Sequence, residues 1–245
     1  FDGFQAWLDE TRAMFDVPGC AVAIVKGDEL VATFASGERD LATHAMVDAD
    51  TLFAIGSSTK AFTTCLLAML ADDGRLQWDE PVRRWLPEFA LADAPLSERI
   101  TPRDLVTHRS GMPRHDLVWY GATFERRDMV ARLRHLPLNH DLRTDFQYNN
   151  LMFLTAGHLA ERIGGAAWEE QVKQRILVPL AMPRACFTVG AMQQDGNHAR
   201  PFRREHGKVG AIPFRDITAI GPAGSINASV KELAHWLTLH LRHGE

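Results

Sequence analysis

The sequence predicts a mixed α/β (α+β) protein, an antiparallel sheet flanked by helices and joined to a mostly helical domain. Three observations carry that expectation. Cys20-Ala21-Val22-Ala23-Ile24-Val25 is almost continuously apolar, and Leu30-Val31-Ala32-Thr33-Phe34 returns after the turn residues Gly27-Asp28. The two runs read as one antiparallel hairpin. From Ser57 onward the middle of the chain is mostly helical in pattern, and one further helix ends at Leu241. No long alternating run follows Phe34, so the sheet has few further strands within this chain.

Each element has a local reason. Phe4, Trp7, Leu8, Thr11, Met14 and Phe15 fall on a helical period, and Val17-Pro18-Gly19 stops that helix. The continuous apolarity of Cys20–Val25 predicts a strand buried on both faces. A polar stretch, Gly37 to Asp50, leads to Phe53-Ala54-Ile55-Gly56, and a helix starts at Ser57 and ends at Asp72-Asp73-Gly74. Thr101-Pro102-Arg103-Asp104 is a helix start, with a capping Thr, Pro at the first helical position and an early acid. Helices are predicted over 124–136, 149–163 and 168–176, with Gly164-Gly165 terminating the second. From Pro183 to Pro222 the chain is rich in turn residues with short strand-like pieces. Ser229-Val230-Lys231-Glu232 has capping-box form and opens a last helix through Leu241. Residues 1–74 and 218–245 are assigned to the sheet domain and 75–217 to the helical domain. A two-stranded hairpin is marginal alone, so it needs partner strands.

The composition excludes several functions. The chain has 245 residues, 46% hydrophobic and 24% charged, enough for a real core. A net charge of −4 argues against a protein that coats nucleic acid or binds membranes through a polybasic surface. No apolar run approaches the roughly 20 residues of a transmembrane span. The three cysteines, Cys20, Cys65 and Cys186, are too few and too widely spaced for a disulfide framework. There is no metal-ligand motif and no cofactor fingerprint, so no metal and no cofactor is expected, and no Gly-x-Ser-x-Gly elbow.

Two short motifs carry chemistry. Ser57-Ser58-Thr59-Lys60 reads Ser-x-x-Lys at a helix N-terminus, and the i, i+3 spacing stacks Ser57 and Lys60 on one face. A serine hydroxyl needs a base beside it to become a nucleophile, and a partly desolvated Lys can serve. The helix start adds backbone N–H groups suited to an oxyanion. The alternative is a capping serine beside a solvated lysine. With seven Ser and five Lys in the chain, chance supplies such a motif roughly 0.1 to 0.2 times per chain. The second motif is Tyr148-Asn149-Asn150, Tyr-x-Asn before an apolar helix. A tyrosine near a Lys can relay the serine proton, and an Asn amide offers both a donor and an acceptor. Its alternative is a helix start with Asn149 as cap and Tyr148 on the core.

With these motifs the chain resembles the serine beta-lactamase and penicillin-binding-protein-like family, in its class C, D-aminopeptidase and esterase branch. The segment Phe53 to Thr63 is similar to that family's active-site segment. Leu105-Val106-Thr107-His108-Arg109-Ser110-Gly111-Met112-Pro113 resembles its Leu-Leu-Thr-His-Thr-Ser-Gly-Leu-Pro signature. Phe146-Gln147-Tyr148-Asn149-Asn150 resembles its Phe-x-Tyr-Ser-Asn, and Gly221-Pro222-Ala223-Gly224-Ser225 its Gly-Pro-Ala-Gly-Gly segment. The resemblance implies a beta-lactamase/transpeptidase-like fold. It makes His108 a buried, hydrogen-bonded structural residue. Trp119-Tyr120, which follows the His108 stretch, is a candidate lining of a substrate cleft.

One family element does not match. A third motif, Lys-Thr-Gly or His-x-Gly, belongs on a core strand after the late helix. Lys208-Val209-Gly210 precedes the Gly-Pro-Ala-Gly segment in a turn-rich region, and His243-Gly244-Glu245 does not fit either. The resemblance implies a core sheet with two strands from the start of the chain and about three after the late helix. An N-terminal fragment, or the ordered part of a longer chain, is therefore expected.

The resulting expectation is a serine hydrolase working by acyl transfer on an amide, ester or beta-lactam carbonyl. Ser57 attacks, Lys60 and Tyr148 take up the proton as a coupled pair, and Asn150 orients Lys60 and the substrate. The oxyanion is held by the Ser57 N–H and a second N–H from a strand outside the chain. The rival is an inactive scaffold that serves binding or assembly. The expected partner is a small-molecule or peptide substrate, with the rest of the same chain completing the site. The resemblance favours a periplasmic or secreted location, with no export signal visible.

Overall fold

In a computed structural model the described residues are Phe1–Gly244; Glu245, which ends the His243-Gly244-Glu245 stretch, lies outside them. Helix α1 (Phe4–Met14) precedes strands β1 (Gly19–Lys26), β2 (Glu29–Asp40), β3 (Ala45–Met46) and β4 (Phe53–Ala54). Helices α2 (Thr59–Asp72), α3 (Ala94–Arg99), α4 (Pro102–Val106), α5 (Arg126–Arg132), α6 (Asn150–Gly164), α7 (Trp168–Val172) and α8 (Val189–Asp195) follow. Strands β5 (Phe202–Glu205) and β6 (Lys208–Ala211), helical turn α9 (Gly221–Gly224), strand β7 (Asn227–Ala228) and helix α10 (Val230–Leu241) complete the order.

The chain packs as two compact units. The first holds Phe1–Ala54, Leu177–Asp216 and the chain from Ile226 onward; the second holds Ile55–Ile176 and Ile217–Ser225. This division differs from 1–74 and 218–245 against 75–217. Helix α2 lies in the second unit, because its fully buried Phe62, Leu66, Leu67 and Leu70 pack where α6, α7 and α9 meet it. Segment 177–216 lies in the first unit, tied there by backbone bridges from Cys186 to Asn227 and from Leu52 to His198.

In the first unit, β1, β2 and β3 form an antiparallel sheet in that order, with Gly19 opposite Gly37 and Lys26 opposite Glu29. Helix α10 packs on β1 and α1 on β2. The expectation that Cys20–Val25 is buried on both faces is not met. Every residue of the run is half-buried, because β1 is the edge strand and β2 is its neighbour in the sheet. The return strand is longer than Leu30–Phe34: pairing continues through Ala35, Ser36 and Gly37, where no apolar alternation marks a strand. Lys208-Val209-Gly210 forms part of β6, in a hairpin closed by His206 and Gly207 at positive φ. That geometry suits a two-residue hairpin turn. The Ser229–Glu232 capping box is present at the start of α10.

The second unit is built around α6, which buries ten residues from Asn150 to Ala160. Helices α2, α4, α5, α7 and α9 all pack against it. Thr101 caps α4 as its sequence indicates, and Asp104 completes a capping box by accepting from the Thr101 N–H. Helix α5 is shorter than 124–136 because Glu125 stays extended and the last turn tightens to a 3₁₀ turn at Leu133–His135. Helix α7 passes at Lys173 into a π-helical turn, Lys173–Leu177. Arg126, at the start of α5, pairs with Glu161 of α6 and with Glu169 of α7 at 2.7 Å.

Segment 217–225 approaches α6 closely at one point. Gly157 of α6 lies against the Pro222 ring, and a Cβ there would stand 2.5 Å from Pro222 Cβ. Exposed helical Gly→Ala changes normally stabilise by about 1 kcal/mol. Here the sign reverses, because the methyl group overlaps a rigid ring. Gly157→Ala should destabilise by roughly 1–3 kcal/mol, read as a lower denaturant midpoint at unchanged slope.

Candidate active site

The Ser-x-x-Lys segment folds as expected but is not used as a cap. A 3₁₀ turn, Gly56–Ser58, runs into α2, and neither start has a side-chain cap hydrogen bond. Ser57 is exposed, while Lys60 is 7% exposed. Ser57 Oγ is therefore open to other partners, and it has two: Lys60 Nζ donates to it at 3.1 Å, and Tyr148 Oη is hydrogen-bonded to it.

Lys60 Nζ makes two further hydrogen bonds, to Asn150 Oδ1 at 2.8 Å and to the Ala223 carbonyl at 2.6 Å. Three separate stretches of chain thus meet at one nitrogen. The 3₁₀ turn supplies Ser57 and the first turn of α2 supplies Lys60. The start of α6 supplies Tyr148 and Asn150, one residue either side of Asn149. Asn149 caps α6 by accepting from Met152 N–H at 3.0 Å, and donates to the carbonyls of Met112 and Pro113 at 3.1 and 2.8 Å. Asn149 is thus the cap that the sequence offered, and it places half-buried Tyr148 and buried Asn150 on either side of it. Segment 217–225 supplies Ala223 O, held by Pro222 O accepting from Thr63 Oγ1 at 2.7 Å.

The stretch 105–119 lies under and beside Tyr148. His108 and Gly111 take positive φ, 59° and 74°. At Gly111 a side chain would run into the His140 carbonyl. His108 Nδ1 accepts from the Asn149 N–H at 3.0 Å, and its ring lies 4.6 Å from the Tyr148 ring. His108 is thus buried and hydrogen-bonded, as the resemblance implied. Arg114 and Asp116 enter the site unannounced. The Arg114 guanidinium lies 5.0 Å from the Tyr148 ring centre, and Lys60 Nζ lies 4.8 Å from it. Arg114 Nε donates to Asp116 Oδ2 at 2.6 Å, and Asp116 Oδ1 accepts from Asn150 Nδ2 at 3.2 Å and Trp119 Nε1 at 3.0 Å. Trp119 is half-buried, and Tyr120 beside it is exposed. The sequence signal for Asp116 was only its place three residues beyond Pro113. Ala223 contributes a backbone oxygen, which no residue type advertises.

Burial pushes the Lys60 amine below the usual lysine range, opposed by Tyr148 and Asp116 and reinforced by Arg114. Burial, with the Lys60 charge behind it, pushes His108 down to about 4. The hydrogen bonds constrain which protonation states fit. Ala223 O and Asn150 Oδ1 can only accept, whereas a serine hydroxyl can also donate. A neutral Lys60 keeps two N–H bonds to those two oxygens and turns its lone pair to Ser57. A charged Lys60 donates to all three. The site accommodates both states without moving a heavy atom.

A profile of the Beta-lactamase family matches residues 4–245, and the chain belongs to that family. The unguisins hydrolase ungD' of Aspergillus campestris is 30% identical over 252 residues, covering 98% of this chain and 47% of that protein. The octameric penicillin-binding protein homologue from Pyrococcus abyssi superposes with a TM-score of 0.88 at 26% identity, over 100% of this chain and 57% of that one. The D-amino acid amidase from Ochrobactrum anthropi SV3 shares the fold, with a TM-score of 0.83 at 24% identity over 99% and 70% of the two chains. The chain spans about half the length of the curated relatives it matches first.

The His108 environment makes a pH prediction. An unfolded imidazole takes up its proton near 6.5, the folded one only near 4. The unfolded state therefore binds more protons between those values, and His108 lowers stability as pH falls through that window. Proton NMR should place the His108 titration near 4; a titration at or above 6.5 would contradict the burial.

Proposed function

We propose that the full-length protein is a serine hydrolase that works by acyl transfer on an amide, ester or beta-lactam carbonyl, with Ser57 as nucleophile. One observation carries the reading: Ser57 Oγ contacts both Lys60 Nζ, at 3.1 Å, and Tyr148 Oη. A nucleophile and two proton carriers within hydrogen-bond reach are what acyl transfer requires. Family membership and a hydrolase among the relatives support it.

In this reading Ser57 Oγ bonds to the carbonyl carbon while its proton passes to neutral Lys60, with Tyr148 as relay. The Ser57 N–H at the helical start stabilises the oxyanion. The proton then goes to the leaving nitrogen or oxygen as its bond to carbon breaks. A water molecule attacks the acyl carbon and gives its proton to the same pair, which returns it to Ser57 Oγ as the carbon–Oγ bond breaks and the acid is released. Asn150 and Ala223 hold two N–H bonds of Lys60 throughout, so the lone pair faces Ser57. Burial of Lys60 enlarges the fraction that is neutral near pH 7.

The test is covalent labelling of the full-length gene product. A fluorophosphonate should attach to Ser57 with loss of fluoride, and Ser57→Ala should abolish it. Equal labelling of that variant would overturn the assignment. Lys60→Arg should lose labelling by about a hundredfold or more, because a guanidinium keeps its protons and presents no lone pair. Labelling at the wild-type rate would reduce Lys60 to a structural charge.

A further inference from the structure

The amide of Asn150 stands between a cation and an anion, and that placement has a consequence for catalysis. Its Oδ1 accepts from Lys60 Nζ at 2.8 Å and its Nδ2 donates to Asp116 Oδ1 at 3.2 Å. Turned by 180°, the amide would set N–H against the ammonium and oxygen against the carboxylate, and both contacts would repel. A neutral Lys60 changes only half of this. Its lone pair could then accept from a turned Asn150, and the lone pair would be lost to Ser57. With Lys60 neutral, the group opposing that turn is the Asp116 carboxylate.

Asp116 is itself well held. Arg114 Nε and Trp119 Nε1 donate to its two oxygens at 2.6 and 3.0 Å, and it opens a 3₁₀ turn, Asp116–Val118. Its neighbour His115 has a left-handed backbone and a ring nitrogen 2.9 Å from the Pro137 carbonyl, which anchors the turn. The carboxylate has three donors and touches neither Ser57 nor Lys60 directly.

We infer that Asp116 is a positioning residue for acyl transfer: it locks the Asn150 amide so that the lone pair of neutral Lys60 stays directed at Ser57. The inference rests on the acyl-transfer reading. Asp116 locks the lone pair through Asn150, so its effect on the plateau rate, above the acidic limb, must vanish when the amide is gone. It also adds a negative charge near Lys60, which is otherwise faced by Arg114, Tyr148 and the neutral His108. Removing that charge makes Lys60 easier to deprotonate. Reaction rate rises with pH as Lys60 loses its proton, so the acidic limb should move to lower pH.

The experiment measures the rate constant for fluorophosphonate labelling of the full-length protein against pH, for wild type, Asp116→Asn, Asn150→Ala and the double variant. Asp116→Asn should slow labelling roughly ten- to hundredfold and shift the acidic limb downward. On the Asn150→Ala background the same change should cost no further plateau rate. Fold losses that multiply in the double variant, or a slowed reaction with an unmoved limb, would overturn the inference while leaving Ser57 as nucleophile. No labelling of wild type would overturn both. Asp116→Glu, which keeps the charge one methylene further out, is the second probe. It should keep the limb at its wild-type position, and a limb shifted as in Asp116→Asn would count against the charge argument.

Discussion

The site depends on how one buried nitrogen is satisfied. An unpaired ammonium out of water costs several kcal/mol even after relaxation. Lys60 Nζ meets this with three oxygens, from Ser57, Asn150 and Ala223. Each comes from a different part of the second unit, so the helix packing and the chemistry are one requirement. If α6 moves relative to α2, Asn150 leaves; if segment 217–225 moves, the Ala223 carbonyl leaves. Gly157 against Pro222 and Thr63 against the Pro222 carbonyl are the contacts that hold those distances.

The same arrangement explains why two of the oxygens are acceptors without protons. They can hold an amine in either charge state, but they can never take its lone pair. Only Ser57 can, provided the Asn150 amide does not turn. Control of Lys60 therefore extends outward from Asn150 to Asp116, and from Asp116 to Arg114 and Trp119. Arg114 then returns to the centre by lying against the Tyr148 ring. This shell lies in the 3₁₀ turn after the His108 stretch, where two left-handed histidines, His108 and His115, bracket the loop.

Much of this was legible from residues alone where the determinant is local. The Thr101 cap and the Ser229 capping box formed as written, because both partners lie within one turn. Ser57 and Lys60 met because residues i and i+3 stack on one side where the 3₁₀ turn runs into α2. Tyr148 and Asn150 were legible as a motif, and the resemblance to the beta-lactamase family set them beside Ser57. Strand β2 was read too short, because Ala35-Ser36-Gly37 carries no alternation and pairs only because β1 lies beside it. The run Cys20–Val25 was read as doubly buried, because apolarity reports what a strand can bury and not what covers it. Helix α2 was grouped with the sheet by its place in the chain, whereas its apolar face had already committed it to α6.

Sequence by itself determined the family, the helix starts and the motif residues that the fold brings together, because motif spacing and capping are short-range properties. Tertiary structure alone decided the third oxygen on Lys60, which is a backbone atom of Ala223, since every residue has a carbonyl and only folding says which one arrives. It also decided that Asp116 faces Asn150 across 34 positions of sequence. An aspartate in a loop is ordinary as a letter; its place beside one amide hydrogen follows from where the α6 start and the 105–119 stretch come to rest.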